Sequence, residues 1–404
     1  MTSIPGVASP VPAQEQNATT LLLRSLLRLR ASIGSILLGA TLLFTFGAGW
    51  DITSHRTVGR DATFSPAHVT MLTALTIMGL AAMVLVLIET RWARRNPGVR
   101  DYGITFAGGF SGPLGAYLTG FGAIAAAIAF PLDNYWHSLY GIDVSLWAPF
   151  HVMIIMGTVL SSIGVTSLLI STAHLAASQH ARKLKSLCTI AAMIALADVA
   201  GKLISIVNPA LSAQGMIGSF NLYPIMISLS AMIGIIAAVF AFPSRWAATI
   251  MTLIRIVINI ILGIVIPPVM VWQINFEHET LLPRAIQAAG QGSTRSTLLT
   301  AVLFLALALI VDGIVWYARK KGWTPRAFLS GLYIAALPAL LVVAIVGLAA
   351  FRGQGLAATS RLANLSSLGL ATILISLILI PVGELAGLWL GQAMGQSLQV
   401  EADQ

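Results

Sequence analysis

"SPAHVTMLTALTIMGLAAMVLVLIETRWARR", residues 65–95, decides the fold. From Val69 to Ile88 no side chain is charged, and a helix needs about 20 mainly apolar residues to cross a hydrocarbon core. Ser65-Pro66 reads as an N-cap followed by a first-turn proline. Arg91, Arg94 and Arg95 close the run with cations. The stretch therefore spells one transmembrane helix that starts at one membrane face and ends in a basic cluster at the other.

The rest of the chain repeats this grammar. Hydrophobic residues make up 57% of the 404 and charged residues only 9%, with a mean hydropathy of +0.87; no soluble globular domain has that balance. Ten stretches are long and apolar enough to span: 31–50, 67–89, 104–131, 149–176, 187–207, 223–242, 248–272, 298–317, 327–350 and 367–391. The expected class is all-α, a polytopic membrane helix bundle. The net charge of +9 is split among short clusters between apolar runs. That distribution orients a membrane protein and offers no contiguous stripe for nucleic acid. A single cysteine, Cys188, lies inside an apolar run, so one chain can build neither a disulfide framework nor a thiolate metal site. Residues 1–22 are polar and rich in Pro, Ala and Gln, which predicts a disordered tail. The apolar run after them is too long for a cleaved signal peptide and reads as a retained first span.

Basic residues fall on alternate loops. Arg24, Arg28 and Arg30 precede the first span, and "RWARR" (91–95), "ARKLK" (181–185), "SRW" (244–246) and "ARKKG" (318–322) follow the second, fourth, sixth and eighth. The positive-inside rule places all of these, and both termini, in the cytoplasm. The intervening loops then face the outside of a bacterial cytoplasmic membrane.

Two of those outer loops carry the same polar pattern. Laying 51–68 over 133–151 aligns Asp51 with Asp133, His55 with His137, Gly59 with Gly141 and Asp61 with Asp143; after one extra residue, Pro66 and His68 meet Pro149 and His151. A degenerate third copy keeps Asn208 and Pro224 at the same spacing, with Ser212 and Met226 where the histidines would be. A helix-pair unit of about 80 residues is thus internally repeated, as membrane folds often are.

The repeated residues are suited to one kind of chemistry. Asp51/His55 and Asp133/His137 are four apart, so each pair shares a face if its helix continues one turn. His68 and His151 fall about two residues into the next helix, where the positive helix end favours a neutral imidazole able to bind metal. Each copy offers one carboxylate and two imidazoles, an open metal site. Taken singly, an interfacial histidine is usually hydrogen-bonded to backbone or lipid, and an aspartate can simply cap a helix. The repetition of the whole set favours metal. Ligand type alone admits Fe(II), Zn(II) or copper equally.

"RDATFSPAH" (60–68), with the spacing Asp51-x3-His55-x12-His68, resembles the copper-binding stretch of the C subunit of the copper membrane monooxygenases, which include particulate methane monooxygenase and ammonia monooxygenase. The resemblance implies that Asp51, His55 and His68 hold copper and act in O2 activation on ammonia or a small hydrocarbon. It also implies partner subunits and electrons from a membrane quinol. The family's second intramembrane copper site has an Asn and two histidines spaced x3 and x13. His137 and His151 match those histidines, while Asp133 stands where the family has Asn. The likeness covers the first six spans, to residue 245. It leaves the four spans of 246–404 without a role, and the chain lacks the soluble cupredoxin-like domain of the family's B subunit. A stand-alone metal-binding or metal-transport protein is therefore carried as the alternative. A di-haem carrier with His68 and His151 as axial ligands ranks last, since it gives Asp51 and Asp133 nothing to do.

Other polar residues carry weaker signals. Asp198 and Lys202, four apart on the fifth span, read as a structural ion pair, with proton or ligand handling as the alternative. Arg255, Asp312 and Glu384 lie in the seventh, eighth and tenth spans with no partner evident from sequence. Glu89 and His174 are expected to snorkel to the cytoplasmic face. His174 is 23 residues past His151, about 35 Å along a helix, and cannot join the outer site. His278, beside Glu277 and Glu279, reads as a solvated loop residue ahead of an extra ligand or entry site. Asp61 and Asp143 read as partners orienting the imidazoles (with a salt bridge from Asp61 to Arg56 or Arg60 the equal alternative), and Trp136 and Trp147 as interfacial belt residues. The glycines near 109–120 read as close helix packing.

Overall fold

The computed structural model describes residues 13–58, 64–140, 148–207, 216–217, 220–281, 294–352 and 370–403. The described chain is a helix bundle. Its helices are α1 (Ala13–Thr57), α2 (Pro66–Arg95), α3 (Leu114–Tyr140), α4 (Pro149–Ser178), α5 (Arg182–Val207), α6 (Tyr223–Ala241), α7 (Ala247–Glu277), α8 (Thr294–Lys321), α9 (Pro325–Arg352) and α10 (Leu370–Asp403). All ten contain a segment long and apolar enough to cross a membrane. Strand is confined, among the described residues, to two small hairpins, Ile104–Phe106 with Phe110–Gly112 and Met216–Ile217 with Phe220–Asn221. Helices dominate because backbone amides within hydrocarbon have no water to bond and must be satisfied inside their own segment.

The structure corrects three boundaries. The third span starts at Leu114 and not at 104, because Gly108 and Gly109 take positive φ and turn 104–112 into a hairpin. α10 runs on to Asp403, well past 391. The expected disordered tail is helical from Ala13 onward. After Pro12 the sequence "AQEQNATTLLLRSLL" contains no proline or glycine, so α1 simply extends N-terminally.

Close packing is made possible by small residues. A Cβ on Gly122 would lie 2.4 Å from the Gly157 carbonyl, and one on Gly115 would lie 2.5 Å from that of Gly164. The backbones of α3 and α4 are therefore in direct contact, as small residues permit in membranes. Gly383, Gly387, Gly391 and Gly395, each four apart, bring α10 equally close to α6. Because α10 also packs on α4 and α7 packs on α1 and α5, the last four spans are built into the same bundle as the first six.

Arg30 and Glu89 form a buried bidentate pair, with guanidinium nitrogens 2.8 Å from each carboxylate oxygen and Arg30 Nη2 also donating to the Tyr102 carbonyl at 2.6 Å. Glu89 thus does not snorkel, and Arg30 is buried with it. The Arg30 and Glu89 side chains are only 3% and 2% exposed. The fork geometry satisfies the desolvated charges, whereas removing one partner leaves the other buried and alone. Glu89→Gln is expected to cost about 3–5 kcal/mol of stability, with most of it recovered in the Arg30→Met/Glu89→Leu double variant. Thermal unfolding in detergent reads both.

Candidate metal centres

The end of α1 and the start of α2 meet at one end of the bundle. Asp51 and His55 occupy the last two turns of α1, on one face by their four-residue spacing. Ser65 caps α2, its Oγ accepting from the His68 N–H at 3.2 Å, and Pro66 occupies the first turn. This cap fixes where His68 enters. Its Nε2 lies 3.2 Å from one Asp51 oxygen, and His55 Nε2 lies 3.5 Å from the other.

α3 and α4 repeat the arrangement. Pro149 starts α4 and places His151 on its first turn, while α3 continues past the internal Pro131 to carry Asp133 and His137. His137 Nε2 and His151 Nε2 lie 3.2 Å and 3.3 Å from the same Asp133 oxygen. The other oxygen, Oδ1, is buried without a hydrogen-bond partner among the described residues. All six sequence-selected residues thus converge as two triads, and in each the potential donor atoms lie within 4.8 Å of one another.

These dimensions fit a metal ion. Two donors each about 2.1 Å from a tetrahedral centre sit roughly 3.4 Å apart, close to the 3.2–3.5 Å seen between carboxylate oxygen and imidazole nitrogen. One carboxylate and two imidazoles would leave coordination positions for water or a small ligand. The side chains of both triads are 11–19% exposed, so the sites are lined by protein yet reachable.

Sequence reading missed what surrounds them. Trp50, next to Asp51, donates from its indole nitrogen to Gln273 Oε1 of α7 at 2.6 Å. Gln273 Nε2 donates to Glu277 at 2.8 Å and approaches the Ser54 hydroxyl at 3.4 Å. The seventh span therefore holds the end of α1 that carries Asp51 and His55. The His68 ring stands edge-on to Phe130 of α3, with centroids 5.6 Å apart; Phe130 precedes Asp133 by one turn and links the two triads. Only the polar Gln273 within an apolar helix hinted at this in the sequence.

The remaining expectations divide. Asp198 and Lys202 do pair, and Ser162 and Thr45 join them by donating to the Asp198 carboxylate. Asp312 accepts from the backbone N–H groups of Ala248 and Thr249, so it caps α7. Arg255 presses its guanidinium on Gly201 of α5, and no ion pair joins Arg255, Asp312 and Glu384 to one another. His174 and His278 are both exposed, outside the triads, with His278 at the left-handed C-cap of α7. Trp136 packs against Tyr140 and Phe150. Asp61, Asp143, Trp147, Asn208 and Ser212 lie outside the described residues, as do Gly59 and Gly141.

Fold and site define a ten-span helix bundle with two His2Asp clusters at one end. No family model, curated protein or solved structure matches the chain. Gln273→Leu is expected to strand the buried Trp50 N–H and cost about 1–3 kcal/mol, seen as a lower unfolding temperature. Gln273→Glu, which keeps an acceptor for that N–H, is expected to lose less despite its added charge beside Glu277.

Proposed function

We propose that this protein is a multi-pass protein of a bacterial cytoplasmic membrane that binds two metal ions, copper by the sequence resemblance, at its outer face. Asp51, His55 and His68 hold the first and Asp133, His137 and His151 the second. The observation that carries this reading is the convergence of two separately encoded ligand sets, each one carboxylate and two imidazoles at the same kind of helix-pair end. A chance histidine would not be expected to find the same carboxylate partner, at the same helix-pair end, twice.

Within that reading, the chain acts as a C-type subunit of a copper monooxygenase oxidising ammonia or a small hydrocarbon with O2. Partner subunits and quinol would supply what it lacks, and the substrate would arrive from the lipid. The protein's own residues position the ligands: the Ser65 cap orients His68, and the Trp50–Gln273 bond steadies Asp51 and His55. Bound copper would supply the redox chemistry. One observation favours a second reading, a stand-alone metal-binding or transport protein. The four C-terminal helices are integrated with the first six and one of them braces the first triad, so these helices support the metal sites directly.

Elemental analysis of the purified full chain tests the shared core of both readings. Two metal ions per chain are expected, falling to one in His55→Ala and to one in His137→Ala; wild-type protein free of copper after loading would sink the proposal. Copper at about 100 times its Kd is expected to add about 2.7 kcal/mol per site to the stability, reversed by a chelator and visible as a shift in unfolding temperature. Oxygen-dependent turnover in membranes, lost in His68→Ala, selects the monooxygenase; copper flux into vesicles without turnover selects the transporter.

A further inference from the structure

Seven acidic side chains lie within the membrane-crossing helical segments, and six of them have a donor. Asp51 and Asp133 face histidines, Glu89 faces Arg30, Asp198 faces Lys202, Glu277 accepts from Gln273, and Asp312 accepts from two backbone N–H groups. Glu384 is the exception. It is fully buried, and neither carboxyl oxygen has a hydrogen-bond partner among the described residues. It lies 14 residues from the start of α10 and 19 from its end, about 21 Å and 28 Å along the axis, so it is far from either end.

Its surroundings do not provide for an anion. Ile380, Glu384 and Leu388 form a buried stripe of α10. Next to it, Gly383 abuts the Ile225 carbonyl and the Ser228 hydroxyl of α6, and that hydroxyl is already donated to the carbonyls of Pro224 and Ile225. The titratable groups on the helices packed against α10 are Tyr223 on α6, His151 and His174 on α4, and Arg326, Tyr333 and Arg352 on α9. The two arginines and two histidines are all within the first or last turns of their helices, away from the middle of the bundle. An ionised carboxylate without donor or counter-ion in so apolar a place would cost many kcal/mol and is neutralised instead. One turn earlier, Pro381 cannot donate to the Leu377 carbonyl, which opens the backbone ladder on this helix.

We infer that Glu384 is a proton-binding site in the C-terminal helices: a neutral carboxylic acid within the bundle that exchanges its proton with the aqueous phase. It stands apart from the metal triads and does not rest on their occupancy. Ionisable groups held in this way are how membrane proteins link a movement or transport step to a proton.

A hydrophobic carbodiimide tests this directly, because it reacts with the protonated acid. The carboxyl O–H adds across one C=N bond, the proton passing to nitrogen, and the acyl group then shifts to nitrogen as a stable N-acylurea with no leaving group. Full-length protein in liposomes is expected to take up one equivalent, mapped to Glu384 by mass spectrometry. Labelling is expected to fall as pH rises and to vanish in Glu384→Gln. No adduct on Glu384 at acidic pH, or labelling abolished by Na+ at constant pH, would overturn the proposal, the latter in favour of a cation site. If Glu384→Gln fails to fold, infrared spectra of the wild type decide: a protonated-carboxyl C=O band that shifts in D2O supports the site, and its absence rejects it.

Discussion

Hydrocarbon offers no hydrogen bonds, and this single fact shapes the whole molecule. It forces the backbone into helices, which satisfy themselves. It then favours a partner, on another helix or on its own turn, for each charged side chain carried into the bundle, and among the described residues Glu384 alone of these acids goes without one. Arg30 meets Glu89 from the neighbouring helix. Asp198 gathers Lys202, Ser162 and Thr45 from three helices. Asp312 reaches the free N–H groups at the start of α7. Each contact fixes the relative height of two helices, since a slide of one turn, about 5.4 Å, would leave the pair unmade. The small residues of α3, α4 and α10 provide the complementary condition, backbones close enough for short side chains to reach across.

Both triads arise from the same local geometry. A helix ends with Asp and His on adjacent turns, and the next begins with a proline that sets the phase of a histidine on its first turn. The loops between them are short enough that the second helix returns beside the first. Duplication of a helix pair therefore copies the site with it, and the third copy shows the limit of the rule. Pro224 still lies in the first turn of α6, but the position of the second histidine is held by Met226, which offers no imidazole.

Much of this was legible in the sequence. Hydropathy located all ten helices because each must be apolar along most of its length, and a four-residue spacing suffices to put Asp51 beside His55 or Asp133 beside His137. What was not legible involves partners distant in the chain. Nothing local marks Arg30 as the mate of Glu89, 59 residues on; each alone looks like a charge at a helix end. Trp50 and Gln273 are further apart still. The boundary at 104 misled for another reason. Residues 104–112 carry no charge and read as the first turns of the span, whereas the positive φ of Gly108 and Gly109 turns them into a hairpin. Glu384 could be seen to be charged and inside a span, but its isolation is a property of what α6, α4 and α9 fail to present.

The two triads are similar without being independent. Phe130 lies against the His68 ring and one turn from Asp133, so a shift of α3 that changes one site presses on the other. They also differ in support, since α7 braces the first through Trp50. Under the proposed reading, the carboxylate at Asp133 has a consequence that an amide at that position would not. A carboxylate offsets one charge of a dication in a poorly solvated place, whereas an amide leaves both to be borne by neutral ligands. It is also the harder ligand, which favours a divalent over a monovalent ion. With Asp51 at the first site as well, both centres carry the same charge and the same preference, and what would distinguish them is the rigidity each receives from the helices behind it.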